Sequence, residues 1–457
     1  MAQSSLLPGK MNSIKLVDTL AEFFGAEEVK VTLLSVKHIT NRRLTSSIAS
    51  NRQYMIQQWR EPDPVGFSAM ANLILWPQKM AWIAGHMPVI FLKTDEQVAL
   101  HFRSLPDSVA ADLSHTLSQL NPQDRWITQF CTDWEDVLHA MHDTKLLPIL
   151  PCEQTISIPH LFDPQLHYNL LSKRCLALSG LPTPRAHTID FAPPGDGWND
   201  LSLIQAIDEC IHSIHIRKVP FVVKSNFTMG SDGVYIVKSL EEQAAVELSV
   251  KQHLQCDLPH LQPKNASLRP LSILLTDYFE GDTLCVNFFV ERSGQARFSS
   301  CVQQISTVDN NWCGSRIDYC RQDEHALTFN DTLSLTAKYL HKQGYFGPAG
   351  IDVMVNQAGT QVVVDLNVRP TGSFMLGCLR SHLYGLLELK VAEILPIIRI
   401  PGTRATFEAS FHEDLKNGRL IIIAWYSDTQ NECSYVHFVA AGKDCVILDN
   451  LISKLKM

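Results

Sequence analysis

The sequence has no run of basic residues. Its 39 lysines and arginines stand against 47 acids, for a formal charge of −8. A nucleic-acid partner, which needs clustered positive charge, therefore has no electrostatic support. Nor does any stretch approach the ~20 apolar residues that span a bilayer, so no membrane partner is expected. The apolar run RLIIIAWY at 419–426 is short and suits a buried strand. Residues 1–10 contain one lysine and no apolar h-region, so no secretory leader is expected. The twelve cysteines show no repeated CxxC spacing, and Cys301, Cys313 and Cys320 fall at intervals that match no zinc pattern. Ordinary reduced thiols, and hence a cytoplasmic location, are the expectation. Neither GxGxxG nor GxxxxGK[ST] occurs, and there is no internal repeat.

What is present is a normal globular balance, 45% hydrophobic and 19% charged over 457 residues, enough for about two to four domains. Strand and helix signals alternate through the first ~150 residues, which favours an α/β layer domain. There, 81–92 reads as strand–turn–strand around Gly85 and Pro88, 106–120 as a helix and 146–150 as a buried strand. One helix is expected at 167–179, closed by Gly180 and barred from continuing by Pro182 and Pro184. A second is expected at 201–217, then a hairpin whose strands are 219–224 and 234–238. Strands return at 271–279, 284–291 and 297–304. A helix at 331–343 precedes a second hairpin, 348–356 and 360–367. The tail from ~404 reads as a small α/β cap, with strands at 419–427 and 434–441 and a closing helix at 450–456.

The strongest chemical signal is GPAGIDVMVNQAGTQVVVDLNVRPTG, 347–372. A loop over 357–360 pairs Asn356 with Gln361 and sets Asp352 opposite Asp365. Directly opposed side chains have Cβ atoms about 4.5–5.5 Å apart, and like charges there repel. A bound divalent cation supplies a reason for such a pair. Asp365, Asn367 and Arg369 share one face at period two, while Val364, Leu366 and Val368 point to the core. The acids and Asn367 offer oxygen ligands, and Arg369 offers a planar fork for phosphate or carboxylate. The plainer alternative is a half-exposed hairpin with one salt bridge.

Two weaker signals precede it. In VPFVVKSNFTMGSDGVYIVKS, 219–239, Lys224 ends a hydrophobic strand. The loop after it carries Ser225, Gly230, Ser231 and Gly233, whose backbone N–H groups suit phosphate oxygens. In SILLTDYFEGDTLCVNFFV, 272–290, a buried strand breaks at Phe279-Glu280-Gly281, where unpaired backbone groups suit the edge of an adenine ring. His325, His341 and His382 have no motif around them and read as structural or solvated.

In this order and spacing the segments resemble the ATP-grasp family, over roughly 170–385. The D-x-N-x-R-x-T-G run at 365–372, with Asp352 thirteen residues before Asp365, carries most of the resemblance. Lys224 with its glycine loop and Lys173 in SKRCLALSGLPTP add to it. The resemblance implies an α/β fold made of three parts. These are an N-terminal α/β pre-grasp domain (1–160), an ATP-grasp domain (161–403, lobes about 164–247 and 271–396) and a small C-terminal module (404–457).

It further implies ATP with Mg²⁺ or Mn²⁺ as cofactors, the metal on Asp352, Asp365 and Asn367. Lys173, Lys224, Ser225, Gly230, Ser231 and Gly233 would hold phosphates, and Asp277, Tyr278 and Phe279 the base. Arg369 and Lys224 would be catalytic, with Arg369 against the transferring group. Arg316, in the polar loop NNWCGSRID, is a candidate clamp on a substrate carboxylate, with an ordinary surface arginine as the plainer alternative. Family members often carry Glu where this chain has Asp352 and Asp365, and an acid where it has Thr276. Within the family the chain looks most like stand-alone carboxylate–amine ligases of the peptide-ligase type, including fungal relatives. Such an enzyme joins a small-molecule carboxylate to an amine, an amino acid or peptide, through an acyl phosphate. Homodimers are common among such enzymes. A small-molecule kinase on the same fold and an ATP-binding regulator without turnover remain open beside this reading.

Overall fold

The computed structural model describes residues 13–25, 31–34, 53–57, 59, 74–92, 107–141, 143–306, 312–429 and 431–456. The leader expectation at residues 1–10 lies outside them. Among the described residues the chain forms three sheets.

The first sheet is parallel. It comprises β1 (Val31–Leu34), β2 (Pro88–Leu92), β3 (Ile127–Cys131) and β4 (Lys145–Pro148), in the order β3-β2-β1-β4. Parallel neighbours need crossover connections. The helices Asp107–Ser118 and Trp134–Ala140 supply those after β2 and β3. The strand–turn–strand reading of 81–92 holds only for its second half. Trp76–Ala81 is a helix with Pro77 in its first turn, and the chain bends at Gly85 before β2. A proline in the first turn gives up no intrahelical bond, so it favours a helix start there.

The second sheet is antiparallel, in the order β5-β8-β6-β7. Its strands are β5 (Ala186–Phe191), β6 (Phe221–Ser225), β7 (Val234–Val237) and β8 (Leu271–Asp277). The helices Asp200–His215 and Leu240–Asp257 cover it, each begun by a capping box, on Asn199 and Ser239. Ile207, Ile214, Val250 and Leu254 from the helices pack against Phe221, Val223 and Ile273. Trp59, far away in sequence, belongs to the same core. The single helix expected at 167–179 is two, Pro164–Leu170 and Lys173–Ala177. Ser172 divides them: its hydroxyl accepts from Cys175 N–H (3.1 Å) and donates to Asn226 Oδ1 (2.7 Å). That break sets Lys173 at the first position of the second helix, where its side chain turns toward the loop after β6.

The third sheet has nine strands, larger than a small lobe. They are β9 (Asp282–Val290), β10 (Ala296–Ser306), β11 (Trp312–Asp318), β12 (Gly347–Val355), β13 (Gln361–Asn367), β14 (Val391–Ile394), β15 (Ile398–Pro401), β16 (Leu420–Asp428) and β17 (Cys433–Gly442). Their order is β13-β12-β9-β10-β11-β14-β17-β15, with β16 also on β17. The segment read as a polar loop, NNWCGSRID, supplies β11, which is paired on both sides.

The C-terminal strands do not form a sheet of their own. They extend this one through β14 and β17. The N-terminal helices then lock onto β16. Gln78 donates to Trp425 O (2.9 Å) and accepts from Trp425 N (3.1 Å), and Trp82 Nε1 donates to Ile423 O (2.8 Å). A carboxamide satisfying both backbone groups of one strand residue stands in for a missing neighbouring strand. One core cluster accordingly runs from Ile14 to Ala441. No helix among the described residues is long and apolar enough to cross a membrane.

Four histidines among the described residues are buried, His167, His325, His382 and His437, and burial lowers the pKa of each. His167, with no exposed surface, donates from Nε2 to Val368 O (2.7 Å) and packs against Phe162 and Tyr345. Burial, with the Arg369 charge nearby, pushes its pKa down to about 3 despite the Val368 bond. His437 is held well below the ordinary value by burial and by Lys79. The folded chain thus resists protons that the unfolded chain takes up near pH 6.5. Stability is full above about 6.5 and falls as pH drops below it, by at most about 1.4 kcal/mol per pH unit for each histidine. Urea midpoints at pH 7 and pH 5 check this. His167→Gln, which keeps an N–H for Val368, is expected to flatten the dependence. An equally steep dependence in that variant would remove His167 from the explanation.

Candidate active site

The hairpin β12–β13 arrives at the expected pairing by an unexpected route. Val355 pairs with Gln361 and Val353 with Val363, one residue out of the expected register. A bulge at Val364 then restores it, so that Asp352 does face Asp365. Without the extra residue, Asp352 would lie opposite Val364. A bulge inserted into one strand re-aims side chains in this way. Contrary to expectation, Val364 itself is not in the core but lines the cleft, whereas Leu366 and Val368 are buried as expected. The carbonyl of Val364 accepts from Lys224 Nζ (2.8 Å), which ties β6 of the second sheet to the hairpin of the third.

A cleft of about 570 Å³ lies between these two sheets. Asp352, Asp365, Asn367, Arg369, Lys173 and Lys224 all line it, although they come from four separate segments. So do Gly230, Ser231, Asp277, Tyr278 and Phe279. Asp352 Oδ1 accepts from Gln304 Nε2 (2.7 Å), yet burial and then Asp365 push its carboxyl up to about 7. Burial disfavours the charged carboxylate, and the opposed Asp365 disfavours a second negative charge beside its own, which outweighs the Arg369 charge nearby. Burial brings Lys224 down to about 8 and Lys173 adds to the fall, against the pull of Asp365 and Asp352. Arg369 donates to Asn367 Oδ1 (2.8 Å) and Pro370 O (3.2 Å). Lys173 Nζ donates to Thr228 O (2.7 Å).

Among the described residues no group of three or more His, Cys, Asp or Glu side chains is arranged to hold a metal ion. The third oxygen of the group is therefore the Asn367 carboxamide. Two carboxylates and a carboxamide make an all-oxygen donor set, which suits a hard divalent cation rather than a soft one. The raised Asp352 carboxyl fits the same conclusion, since a cation would remove the repulsion.

Four expected contacts change. Ser225 does not line the cleft: it is buried, and its hydroxyl donates to Gln57 Oε1 (2.7 Å). Gly233 has a packing role, since a Cβ there would meet Ser225 Cβ at 2.9 Å. The N–H of Asp277 is already donated to Arg185 O (2.9 Å), and its carboxylate pairs with Arg217 (2.8 Å). Base reading by the Asp277 N–H is thereby ruled out in this conformation. Arg316 is no substrate clamp, because it forms ion pairs with Glu393 (2.7 Å) and Asp449 (2.6 Å), which fasten β11 to β14 and to the helix Cys445–Leu455. Strand alternation explains it: Ser315 faces the cleft, so Arg316 faces away.

Other cleft residues escaped the sequence reading. Gln304 follows a buried run and gave no sign of its bond to Asp352. Trp76 and Trp312 reach the cleft from the N-terminal helix and from β11. Thr371, in the T-G of the motif, donates to Asn287 Oδ1 (2.6 Å), and a Cβ on Gly350 would meet Thr371 Cγ2 at 2.3 Å. That half of the motif packs the floor beneath the charged half.

Residues 206–373 match the family model described as an ATP-grasp domain. The chain thus carries an ATP-grasp domain, and the cleft with its paired acids lies largely within it. A search of curated proteins returns no match. Solved structures similar to the chain include phosphoribosylamine–glycine ligase from Thermotoga maritima. It has 11% identity and a TM-score of 0.49, over 92% of this chain and 94% of that one. L-amino acid ligase from Bacillus licheniformis has 11% identity and a TM-score of 0.48, over 94% and 97%. N5-carboxyaminoimidazole synthase from Aspergillus clavatus, in complex with ADP and an aminoimidazole ribonucleotide, has 11% identity and a TM-score of 0.44, over 81% and 93%.

Proposed function

We propose that the protein is an ATP-dependent carboxylate–amine ligase that forms an amide bond and releases ADP and phosphate, working in a reducing compartment such as the cytosol. One observation carries the reading: Asp352 and Asp365 directly opposed, with Asn367, Arg369, Lys173 and Lys224 gathered on the same cleft. Asp352, Asp365 and Asn367 would hold Mg²⁺ or Mn²⁺, which neutralises phosphate charge when bound.

Lys173 and Lys224 neutralise the remaining phosphate oxygens. The Asp277 carbonyl and the Phe279 N–H are left to meet the base. Arg369 orients the substrate carboxylate and stabilises charge as its oxygen bonds to the terminal phosphorus and the bond from phosphorus to the ADP oxygen breaks. The amine nitrogen then bonds to the acyl carbon. The carbon–oxygen bond to phosphate breaks, and the surplus proton leaves with phosphate or solvent. The loop after β6 shields the acyl phosphate from water.

The test is ADP release with Mg²⁺ and ATP against a matrix of carboxylates and amines. Release that needs both partners supports the ligase. Release with one acceptor alone makes the protein a kinase. Tight ATP binding with no release from any pair points to a regulator.

A further inference from the structure

We infer that residues 55–57 and 59 belong to a strap that grips both legs of the loop 225–233, and that Gln57 is a positioning residue for the nucleotide. The inference rests on reading the cleft as a nucleotide site. On the first leg, Gln57 N–H donates to Phe227 O (2.6 Å), and Ser225 Oγ donates to Gln57 Oε1 (2.7 Å). On the second leg, Trp59 N–H donates to Asp232 Oδ2 (2.7 Å).

The strap is itself anchored at both ends. Tyr168 OH donates to Met55 O (2.8 Å). The Trp59 ring is 3% exposed and stacks on His253 at 4.5 Å, within the core of the second sheet. These bonds are buried, so each lost one leaves a polar group dehydrated and unpaired.

Between the gripped legs the tip is differently made. Gly230 and Ser231 both have positive φ (63° and 64°), the pattern of a tight reversed turn, and Asp232 N–H donates to Met229 O (3.2 Å). A Cβ on Gly230 would meet nothing within 4 Å. Lys173 Nζ donates to both Thr228 O (2.7 Å) and Thr228 Oγ1 (3.3 Å) at the start of the tip. A phosphate oxygen would compete for that same ammonium. Nucleotide binding therefore exchanges the Lys173–Thr228 bond while the legs stay fixed. A loop held at both legs loses less conformational entropy on closing than one hinged at its ends, and so binds more tightly.

The experiment uses the full chain and three variants: Gln57→Leu, which removes the acceptor, Gln57→Glu, which keeps an acceptor oxygen, and Ser225→Ala, which breaks the same bond from the loop. Mg²⁺-ATP affinity is measured by calorimetry, and amide exchange is followed across 226–234. Gln57→Leu and Ser225→Ala are each expected to weaken ATP about tenfold and to speed exchange in the loop but not in β12 or β13. The double variant is expected to be no worse than either, since one bond is lost in all three. Gln57→Glu is expected to stay within about threefold of wild type. If Gln57→Leu does not fold, Ser225→Ala reports on the same bond.

Wild-type ATP affinity and unchanged loop exchange in Gln57→Leu and Ser225→Ala would overturn the strap and leave the nucleotide site standing. Failure of the wild-type chain to bind ATP would overturn the nucleotide site, and Gln57 as its positioning residue with it. Loop exchange then decides alone whether the strap grips.

Discussion

Asp365→Ala is expected to cut ADP release by at least about a thousandfold and, in the absence of metal, to raise rather than lower the melting temperature. Asp352 and Asp365 are direct cross-strand neighbours, and burial with that proximity pushes Asp352 up to about 7. A pair of this kind destabilises the fold that holds it. Removing one carboxylate relieves the repulsion, so the variant gains stability while losing a ligand for the ion that neutralises the phosphates. Each kcal/mol relieved is expected to add about 2–4 °C in a domain of this size. The stabilisation that wild type gains from added Mg²⁺ with ATP is expected to vanish. Differential scanning fluorimetry with and without the ion, beside an ADP assay, reads both arms. A variant that melts lower and keeps activity within tenfold of wild type would make the acid pair structural.

Arg369→Lys is expected to lower kcat by about a hundred- to a thousandfold with little change in the KM for ATP. The guanidinium is buried in the cleft, with Nη2 on Asn367 and Nη1 on Pro370 O, so its fork is fixed before any substrate arrives. A lysine keeps the charge but loses the planar pair of donors. The reaction gathers negative charge on the transferring group, where preorganised donors count most. The loss therefore belongs in kcat and not in ground-state binding. A rise in the ATP KM with kcat intact would move Arg369 from the reacting carboxylate to the resting nucleotide.

The sequence by itself determined the local chemistry of the site. The hairpin 347–367, the like-charged pair Asp352 and Asp365, and the single face shared by Asp365, Asn367 and Arg369 follow from strand period and turn residues, which act over a few positions. Even there the pairing was right for an incomplete reason, because the bulge at Val364 depends on what the strand meets, including Lys224 from another sheet. Lys224 was also legible, as a cation beside a polar loop, whereas Lys173 entered only through the family resemblance.

Tertiary structure alone decided the rest. Ser225 turned to Gln57 because residues 53–57 cross onto the loop, a contact separated by 168 positions in sequence. Arg316 became a strut because β11 found partners on both sides that no nearby residue announces. The C-terminal strands joined the large sheet for the same reason, since β17 offered β14 an edge to pair with. Period and propensity report which face of an element is buried. They do not report which distant surface buries it, because that depends on packing every element at once.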